Sequence, residues 1–178
     1  MQVLNEELVF HRDVPESDRR AFARGSARRI LLPPGSSLFK LSGAAILPRQ
    51  LHTAISPWWI STKPVDAGDL GVELMIRDAQ QQGESFETYI RRRFAVKLEW
   101  NSMVSHSAVF TRIVRITLAA PVFAFYGRSQ RMTDDRAPLA APLQAGRSAR
   151  LAGGGGQIWL PNLTSKHFVH VTFQLLPR

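Results

Sequence analysis

The chain has 178 residues, of which 44% are hydrophobic and 21% charged, so it carries enough apolar surface to fold as a globular domain rather than stay disordered. Its net charge of +9 favours an anionic partner, such as a nucleic acid, a nucleotide or an acidic protein. It contains no cysteine, which excludes disulfides, thiolate metal sites and cysteine nucleophiles.

Membrane and export signals are weak in this sequence. No apolar run reaches the ~18 residues that a membrane-spanning helix needs, and the acidic start Asn5-Glu6-Glu7 is unlike a secretory signal. We therefore expect no membrane span. The expected location is the cytoplasm, or a target cell reached by a secretion route that needs no signal peptide.

The first 34 residues form an arginine-rich lead, predicted to be helical from Pro15 to about Arg29. Pro33-Pro34-Gly35 ends this helix, because proline disfavours helix at its own position and before it. Residues 35–178 are predicted as a single α+β domain. Within it, the residues of Ser37–Ser42 alternate with a period of two, which predicts the first strand. One side carries Leu38, Lys40 and Ser42, and the other carries Phe39 and Leu41.

Two adjacent tryptophans, Trp58 and Trp59, follow between two prolines. Neighbouring side chains cannot both face one core from a helix or a strand, so we expect one of them to face a pocket or solvent. Burial of both rings beneath a proline-rich turn is the alternative.

Two helices and then several strands follow. Residues 70–82 and 85–104 are predicted to be helical, the second with Ser85 as its cap and apolar side chains at a spacing of four from Phe86 to Leu98. The predicted strands are 109–118, 121–126, 157–160 and 168–176, with a long loop over 128–150. Helices first and strands last favour α+β over an alternating arrangement.

Several kinds of site are not supported by the spacing of residues. His167 and His170 lie three apart on a predicted strand and so face opposite sides, which argues against a metal site. The tract Gly153–Gly156 lacks the lysine and the helix of a phosphate-binding loop. No nucleophile elbow of a serine hydrolase is present. Because the last carboxylate is Asp135, carboxylate chemistry must come from the earlier part of the chain.

Three short motifs in order resemble bacterial mono-ADP-ribosyltransferase toxin domains. They are Phe39-Lys40-Leu41-Ser42, Ile60-Ser61-Thr62 and Gly155-Gly156-Gln157-Ile158-Trp159-Leu160-Pro161. The segment 121–127 is similar to the strand before that family's substrate loop. The resemblance implies a split, mainly antiparallel core of two sheets around an NAD cleft, preceded by the N-terminal helices. It also implies transfer of ADP-ribose from NAD to a protein or nucleic-acid target, and an immunity protein that restrains the toxin.

The same resemblance assigns roles to individual residues. Lys40 would contact the NAD phosphates, with Ser42 beside it on the first strand, while Ser61 and Thr62 would shape the nicotinamide pocket. A dinucleotide also needs flat apolar faces, which Trp58 and Trp59 can offer. Gln157 stands where the family has its catalytic glutamate, and a neutral amide cannot supply that negative charge. Three accounts stay open: a misaligned motif, an inactive or atypical member, or a deliberate Glu-to-Gln substitution.

Two alternatives do not involve NAD. A non-catalytic nucleic-acid-binding module would use arginines to meet phosphates and the tryptophan pair to stack bases. The arginines concerned are Arg91, Arg92, Arg93, Arg112 and Arg115. The second alternative is a structural or interaction protein with a stable partner and no nucleotide site.

Overall fold

The computed structural model describes residues 3–42, 56–96, 112–134 and 149–176, and the fold over these ranges combines helices with an antiparallel sheet. The helices are α1 (Phe10–Asp13), α2 (Glu16–Arg19), α3 (Val72–Gln81) and α4 (Phe86–Phe94). The strands are β1 (Arg28–Leu32), β2 (Ser37–Ser42), β3 (Trp58–Ser61), β4 (Arg112–Leu118), β5 (Val122–Arg128), β6 (Met132–Asp134), β7 (Ala149–Leu151), β8 (Gly156–Trp159) and β9 (Phe168–Leu175).

Seven of these strands form one curled sheet in the order β1-β5-β8-β3-β2-β4-β9, and every neighbouring pair is antiparallel. Strands β6 and β7 form a separate two-stranded sheet. The mixed helical and antiparallel character predicted from the sequence is therefore confirmed. The two-sheet core implied by the ADP-ribosyltransferase resemblance is not confirmed and stays a prediction.

The central strands of the seven-stranded sheet, β2, β3, β4, β5 and β8, bury side chains on both faces, whereas β9 has no buried residue. One face, here called the inner face, packs against itself as the sheet curls, so residues of distant strands meet in one cluster. Its members include Leu38, Trp59, Ile116, Tyr126 and Ile158. The opposite, outer face is covered by α3 and α4 on one side and by the N-terminal residues on the other.

Helices α3 and α4 form close to where the sequence predicts them, but α4 is shorter. Ser85 caps α4 by accepting a hydrogen bond from the Thr88 backbone N–H at 3.1 Å. The helix ends at Phe94 because Ala95 adopts a left-handed conformation with φ of 53°. The prediction of a helix running to residue 104 is thus wrong at residue 95, and residues 97–104 lie outside the described ranges.

The N-terminal lead is mostly not helical, contrary to the prediction. Only Glu16–Arg19 is α-helical within the predicted span, and Arg24 and Gly25 have positive φ angles that prevent its continuation. Residues Arg28–Leu32 instead form β1, which pairs along its length with β5. The pairing buries Leu32 in the inner-face cluster, and this long-range packing overrides local helix propensity.

The predicted loop over 128–150 also contains short strands. β6 and β7 pair through Met132 with Leu151 and Asp134 with Ala149. The residues between them, 135–148, are outside the described ranges. The division of the chain after residue 34 stays a prediction.

Candidate functional site

The residues proposed for NAD binding from the sequence fall on two faces of the sheet. Strand registers place Lys40, Ser42, Trp59 and Ser61 on the inner face. The same registers place Trp58 and Gln157 on the outer face. The seven predicted residues, Thr62 included, are therefore not gathered around one cleft in the described part of the chain.

Gln157 is buried under the N-terminal residues. Its side-chain amide Nε2 donates a hydrogen bond to the backbone oxygen of Ala21 at 2.8 Å. Two residues along the strand, the indole Nε1 of Trp159 donates to Asp18 Oδ2, also at 2.8 Å. The amide of Gln157 thus holds the N-terminal segment onto the sheet in this structure.

The tryptophan pair follows strand alternation, as the sequence indicates. Trp59 is buried in the inner-face cluster. Trp58 points to the outer face and is half-buried, with its ring centroid 5.1 Å from that of Phe22. Both rings therefore contribute to packing. The role of either in stacking against a nucleotide stays a prediction.

Lys40 lies at one end of the inner face with its amine enclosed by protein atoms. The Nζ atom donates to the Ser56 backbone oxygen at 2.9 Å and sits 4.2 Å from the centroid of the Trp59 ring. Among the described residues, no carboxylate forms an ion pair with this amine. Burial lowers the pKa of Lys40 to about 7, so near neutral pH both the charged and the neutral form of the amine are populated.

Replacing Lys40 with Met is expected to stabilise the protein at pH 6 by on the order of 3 kcal/mol. The amine has a pKa of about 7 in the folded chain against an ordinary value of 10.5 when unfolded, so the unfolded chain binds more protons between these values. The buried charge therefore costs most below pH 7, and its cost falls as the pH rises toward 10.5. The expected gain in the free energy of unfolding is smaller than the whole change in the Lys40 pKa would give. The reason is that the residue is only half-buried, so solvent screens part of its charge.

Urea unfolding of both chains at pH 6 and pH 10 measures this effect. Lys63, which is exposed, provides the matched control as Lys63→Met. A stability difference that is the same at both pH values would contradict an amine with a lowered pKa.

A second polar cluster, which no sequence motif indicates, surrounds Asp69 in the turn between β3 and α3. Asp69 accepts hydrogen bonds from the Tyr126 hydroxyl at 2.7 Å and from Arg128 at 2.5 Å. The backbone N–H groups of Val65 and Asp66 donate to the same carboxylate at 3.1 and 3.0 Å. We call Asp69, Tyr126 and Arg128 the Asp69 cluster.

The hydrogen bonds of the cluster keep its carboxylate ionised. Burial alone would raise the pKa of Asp69, but hydrogen bonds from Tyr126 and two backbone N–H groups, together with the Arg128 charge, hold it below its usual value. The pKa of the Tyr126 hydroxyl is raised, first by burial and then by its bond to Asp69. At neutral pH the pair is thus a carboxylate and a neutral phenol.

The Asp69 cluster lies where two of the sequence motifs meet. A Cβ atom on Gly156 would approach Tyr126 Oη to 2.5 Å and Asp69 Oδ1 to 2.6 Å, so only glycine fits there without movement. The pocket beside the cluster is lined by Ser61, Lys63, Asp69, Arg93, Phe94 and Gly156, among others. Ser61 of the second motif and Gly156 of the third therefore share a pocket.

The other predicted residues lie away from this pocket. Thr62 uses its hydroxyl to donate to the Ser37 backbone oxygen at 3.0 Å, which ties the end of β3 to β2. Lys40 lies at the opposite end of β3, because its amine sits over the ring of Trp59 rather than near Ser61. The contact between Asp69 and Tyr126 joins residues 57 positions apart, and no local pattern in the sequence predicts it.

A groove larger than the Asp69 pocket lies elsewhere among the described residues and has a different character. It has a cavity volume of about 480 Å³ and lies between residues 3–8 and a rim formed by Pro121, Asn162 and His167. It contains the carboxylates Glu6 and Glu7 and none of the residues proposed for NAD binding. Its size exceeds that of the Asp69 pocket, but its charge does not suit an anionic ligand.

The described ranges also bear on membrane and metal binding. No helix in this part of the chain is long and apolar enough to cross a membrane. Within residues 3–42, 56–96, 112–134 and 149–176, no three metal-ligating side chains of His, Asp or Glu come together.

Comparison with known proteins gives no family. No family model matches the chain, and no curated protein matches its sequence. Tne2, solved in complex with Tni2, is 14% identical with a TM-score of 0.46, over 85% of this chain and 93% of that chain. Rhs1-CT, solved in complex with its cognate immunity protein RhsI1, is 15% identical with a TM-score of 0.43, over 86% of this chain and 79% of that chain. These similarities assign no activity to the chain.

Proposed function

We propose that this chain is a toxin or effector domain that binds NAD in the pocket beside Asp69 and transfers its ADP-ribose to a protein or nucleic-acid acceptor. The observation that carries the proposal is an ionised carboxylate, Asp69, in the pocket shared by Ser61 and Gly156. These two residues belong to the motifs that resemble the ADP-ribosyltransferase family.

The chemistry of the pocket fits cleavage of a glycosidic bond. NAD supplies a bond between nicotinamide and ribose whose breaking places positive charge on the ribose. A fixed carboxylate in a water-poor site stabilises such a charge. Asp69 offers that negative charge, whereas Gln157 is neutral and lies on the outer face of the sheet. We therefore assign the electrostatic role to Asp69 rather than Gln157.

Two cations and an aromatic ring complete the pocket. Lys63 and Arg93 line it. The Arg93 guanidinium also lies 6.0 Å from the centroid of the Tyr89 ring, near Asp78, and would turn toward a bound phosphate. Cationic side chains of this kind hold a pyrophosphate by charge-assisted hydrogen bonds. Phe94, buried in the core beside Gly155, forms the apolar floor of the pocket.

The pocket is closed in this structure, with a cavity volume of only about 10 Å³. A ligand of dinucleotide size therefore enters only if a wall moves. The walls include Lys63 and Asp69 of the β3–α3 turn and Gly156, which ends a glycine tract. Gly153 and Gly154 adopt φ angles of 70° and 87°, which other residues rarely tolerate. Their backbone N–H groups donate to the backbone oxygens of Arg92 and Ser129, so movement of this wall must break those bonds.

The geometry of the arginines does not favour the nucleic-acid alternative. Arg91 is buried, and Arg92 is bonded to Glu84 at 3.0 Å and to Gln82 at 2.7 Å. Two of the five arginines named from the sequence are thus committed within the fold, which weakens a phosphate-binding face made of that set.

Calorimetric titration with NAD tests the proposal. We expect saturable one-to-one binding that becomes about tenfold weaker in Arg93→Gln, since a charge-assisted contact to phosphate is lost. Arg77→Gln, an equal change of charge at an exposed position of α3, is the matched control and should bind as the wild type does. Absence of NAD binding, or equal weakening in both variants, would contradict the assigned pocket.

An immunity protein and delivery without a signal peptide remain parts of the same proposal. Rhs1-CT was solved together with an immunity protein as its partner. We propose a partner of that kind for this chain. The chain itself is proposed to act in the cytoplasm, or in a target cell that it reaches by a secretion route without a signal peptide.

A further inference from the structure

Strand β9 forms one edge of the seven-stranded sheet and leaves its outer side unpaired within the described ranges. Among the described strands it pairs with β4 alone, through registers from Arg112–Leu175 to Leu118–Phe168. Alternate residues of such a strand direct backbone N–H and C=O groups away from the sheet. Val169 and Leu175 are 60% and 75% exposed, so the strand also carries bare apolar side chains.

The opposite edge of the sheet differs in the features that protect an edge. β1 presents the exposed arginines Arg28 and Arg29 and is followed by two prolines. Charges and prolines at an edge strand prevent another chain from pairing with it. The sequence of β9, Phe-Val-His-Val-Thr-Phe-Gln-Leu, has no proline, Lys, Arg, Asp or Glu. As far as the described residues show, one edge of the sheet is therefore protected and the other is open to strand addition.

Charge indicates which occupant this edge accepts. Residues 136–178 contain no Asp or Glu, and Lys166 is exposed shortly before β9. Arg112 and Arg115 lie across from Leu175 and Thr172 on β4. A second copy of the chain would bring its own net charge of +9 and be repelled.

We propose that the free edge of β9 is a docking site for an acidic protein, which adds a strand to the sheet. Backbone hydrogen bonds from the added strand supply affinity, and its carboxylates meet the cations around β9. The site is on a different strand from the Asp69 pocket, so it stands whether or not the chain binds NAD.

A synthetic strand peptide tests the edge directly. The probe is an end-capped octapeptide of alternating Glu and Val, titrated against the full chain at low salt. We expect saturable binding together with slower hydrogen exchange of β9 amides. N-methylation of alternate peptide amides removes the edge hydrogen bonds and should weaken binding at least about tenfold. An octapeptide of alternating Lys and Val should bind worse than the acidic one.

A pair of matched variants locates the binding. Val169→Glu on β9 should weaken binding of the acidic peptide about tenfold, because it repels a carboxylate at the edge. Leu31→Glu, at a 52% exposed position of β1, changes the net charge equally and should have little effect. No saturable binding of the acidic peptide, or equal weakening in both variants, would overturn the proposal. A β9-mediated dimer of the chain in sedimentation would overturn the choice of an acidic partner.

Discussion

Replacement of Asp69 by Asn is expected to slow release of nicotinamide from NAD by about 100-fold, because one preorganised charge facing the developing positive ribose is lost. The amide keeps the size of the carboxylate, and its oxygen can still accept from Tyr126. The main expected loss is in the rate of cleavage, and a smaller loss of stability follows because the amide NH2 group faces Arg128 in place of an accepting oxygen. Release of nicotinamide, followed by chromatography, measures it.

Asp66→Asn provides the matched control, three residues away in the same turn. Asp66 pairs with Arg28 at 2.5 Å on the surface, so its loss should leave cleavage nearly unchanged. A 100-fold loss in both variants would point to a damaged turn, and unchanged cleavage in Asp69→Asn would contradict the role of the carboxylate.

The Asp69 variant should also respond differently to acid. The folded pKa of Asp69 lies below its unfolded value, so its ionised form stabilises the protein above about pH 4. This contribution disappears as the pH falls through the lowered folded pKa. As the pH falls below 5, the free energy of unfolding should therefore decrease less in Asp69→Asn than in the wild type. Urea unfolding at a series of pH values measures this difference.

Replacement of Phe22 by Ala is expected to lower the free energy of unfolding by about 3–5 kcal/mol. Phe22 is 0% exposed, and its ring packs against Trp58 at 5.1 Å and Phe10 at 5.7 Å between centroids. The change leaves a cavity between the N-terminal residues and the outer face of the sheet. Urea denaturation of both chains measures the loss.

An exposed apolar residue controls for the general effect of shortening a side chain. Leu31→Ala, at a 52% exposed position, should change stability by less than about 1 kcal/mol. If Phe22→Ala were as mild as this control, the N-terminal residues would not be part of the folded core. Unfolding in two separate transitions would contradict a single cooperative unit.

Local patterns in the sequence predict the strands that have a clear period and the helices that have a cap. The alternation in Ser37–Ser42 gives β2 with its bounds, and Ser85 marks the start of α4. Leu74 and Met75 show the limit of such patterns: both are apolar and adjacent on α3, yet Leu74 is exposed and Met75 is buried. Which face a helix buries depends on the sheet beneath it.

Long-range contacts account for most of what the sequence does not predict. Arg28–Leu32 has no strand signal of its own and becomes β1 because β5 offers it a partner. The third motif places Gln157 at the reaction centre, but its side chain points to the outer face and binds Ala21, 136 residues earlier. The Asp69 cluster likewise joins residues that no local spacing connects.

The motifs nevertheless mark part of the candidate site. Ser61 and Gly156 come from separate motifs and line one pocket with Asp69. Lys40 stands at the other end of β3, next to Trp59, and its role in binding NAD phosphates remains a prediction. A carboxylate near the third motif, rather than at Gln157, is the feature that only the folded chain reveals.

Incubation of the wild-type chain with NAD, with nicotinamide measured over time, tests the central claim most directly. The proposed function predicts steady release of nicotinamide, with ADP-ribose appearing either free or attached to an added acceptor. The rate should be reduced in Asp69→Asn and not in Gln157→Ala at temperatures where that variant remains folded. Release that requires Gln157 but not Asp69, or no release at all, would contradict the assigned site.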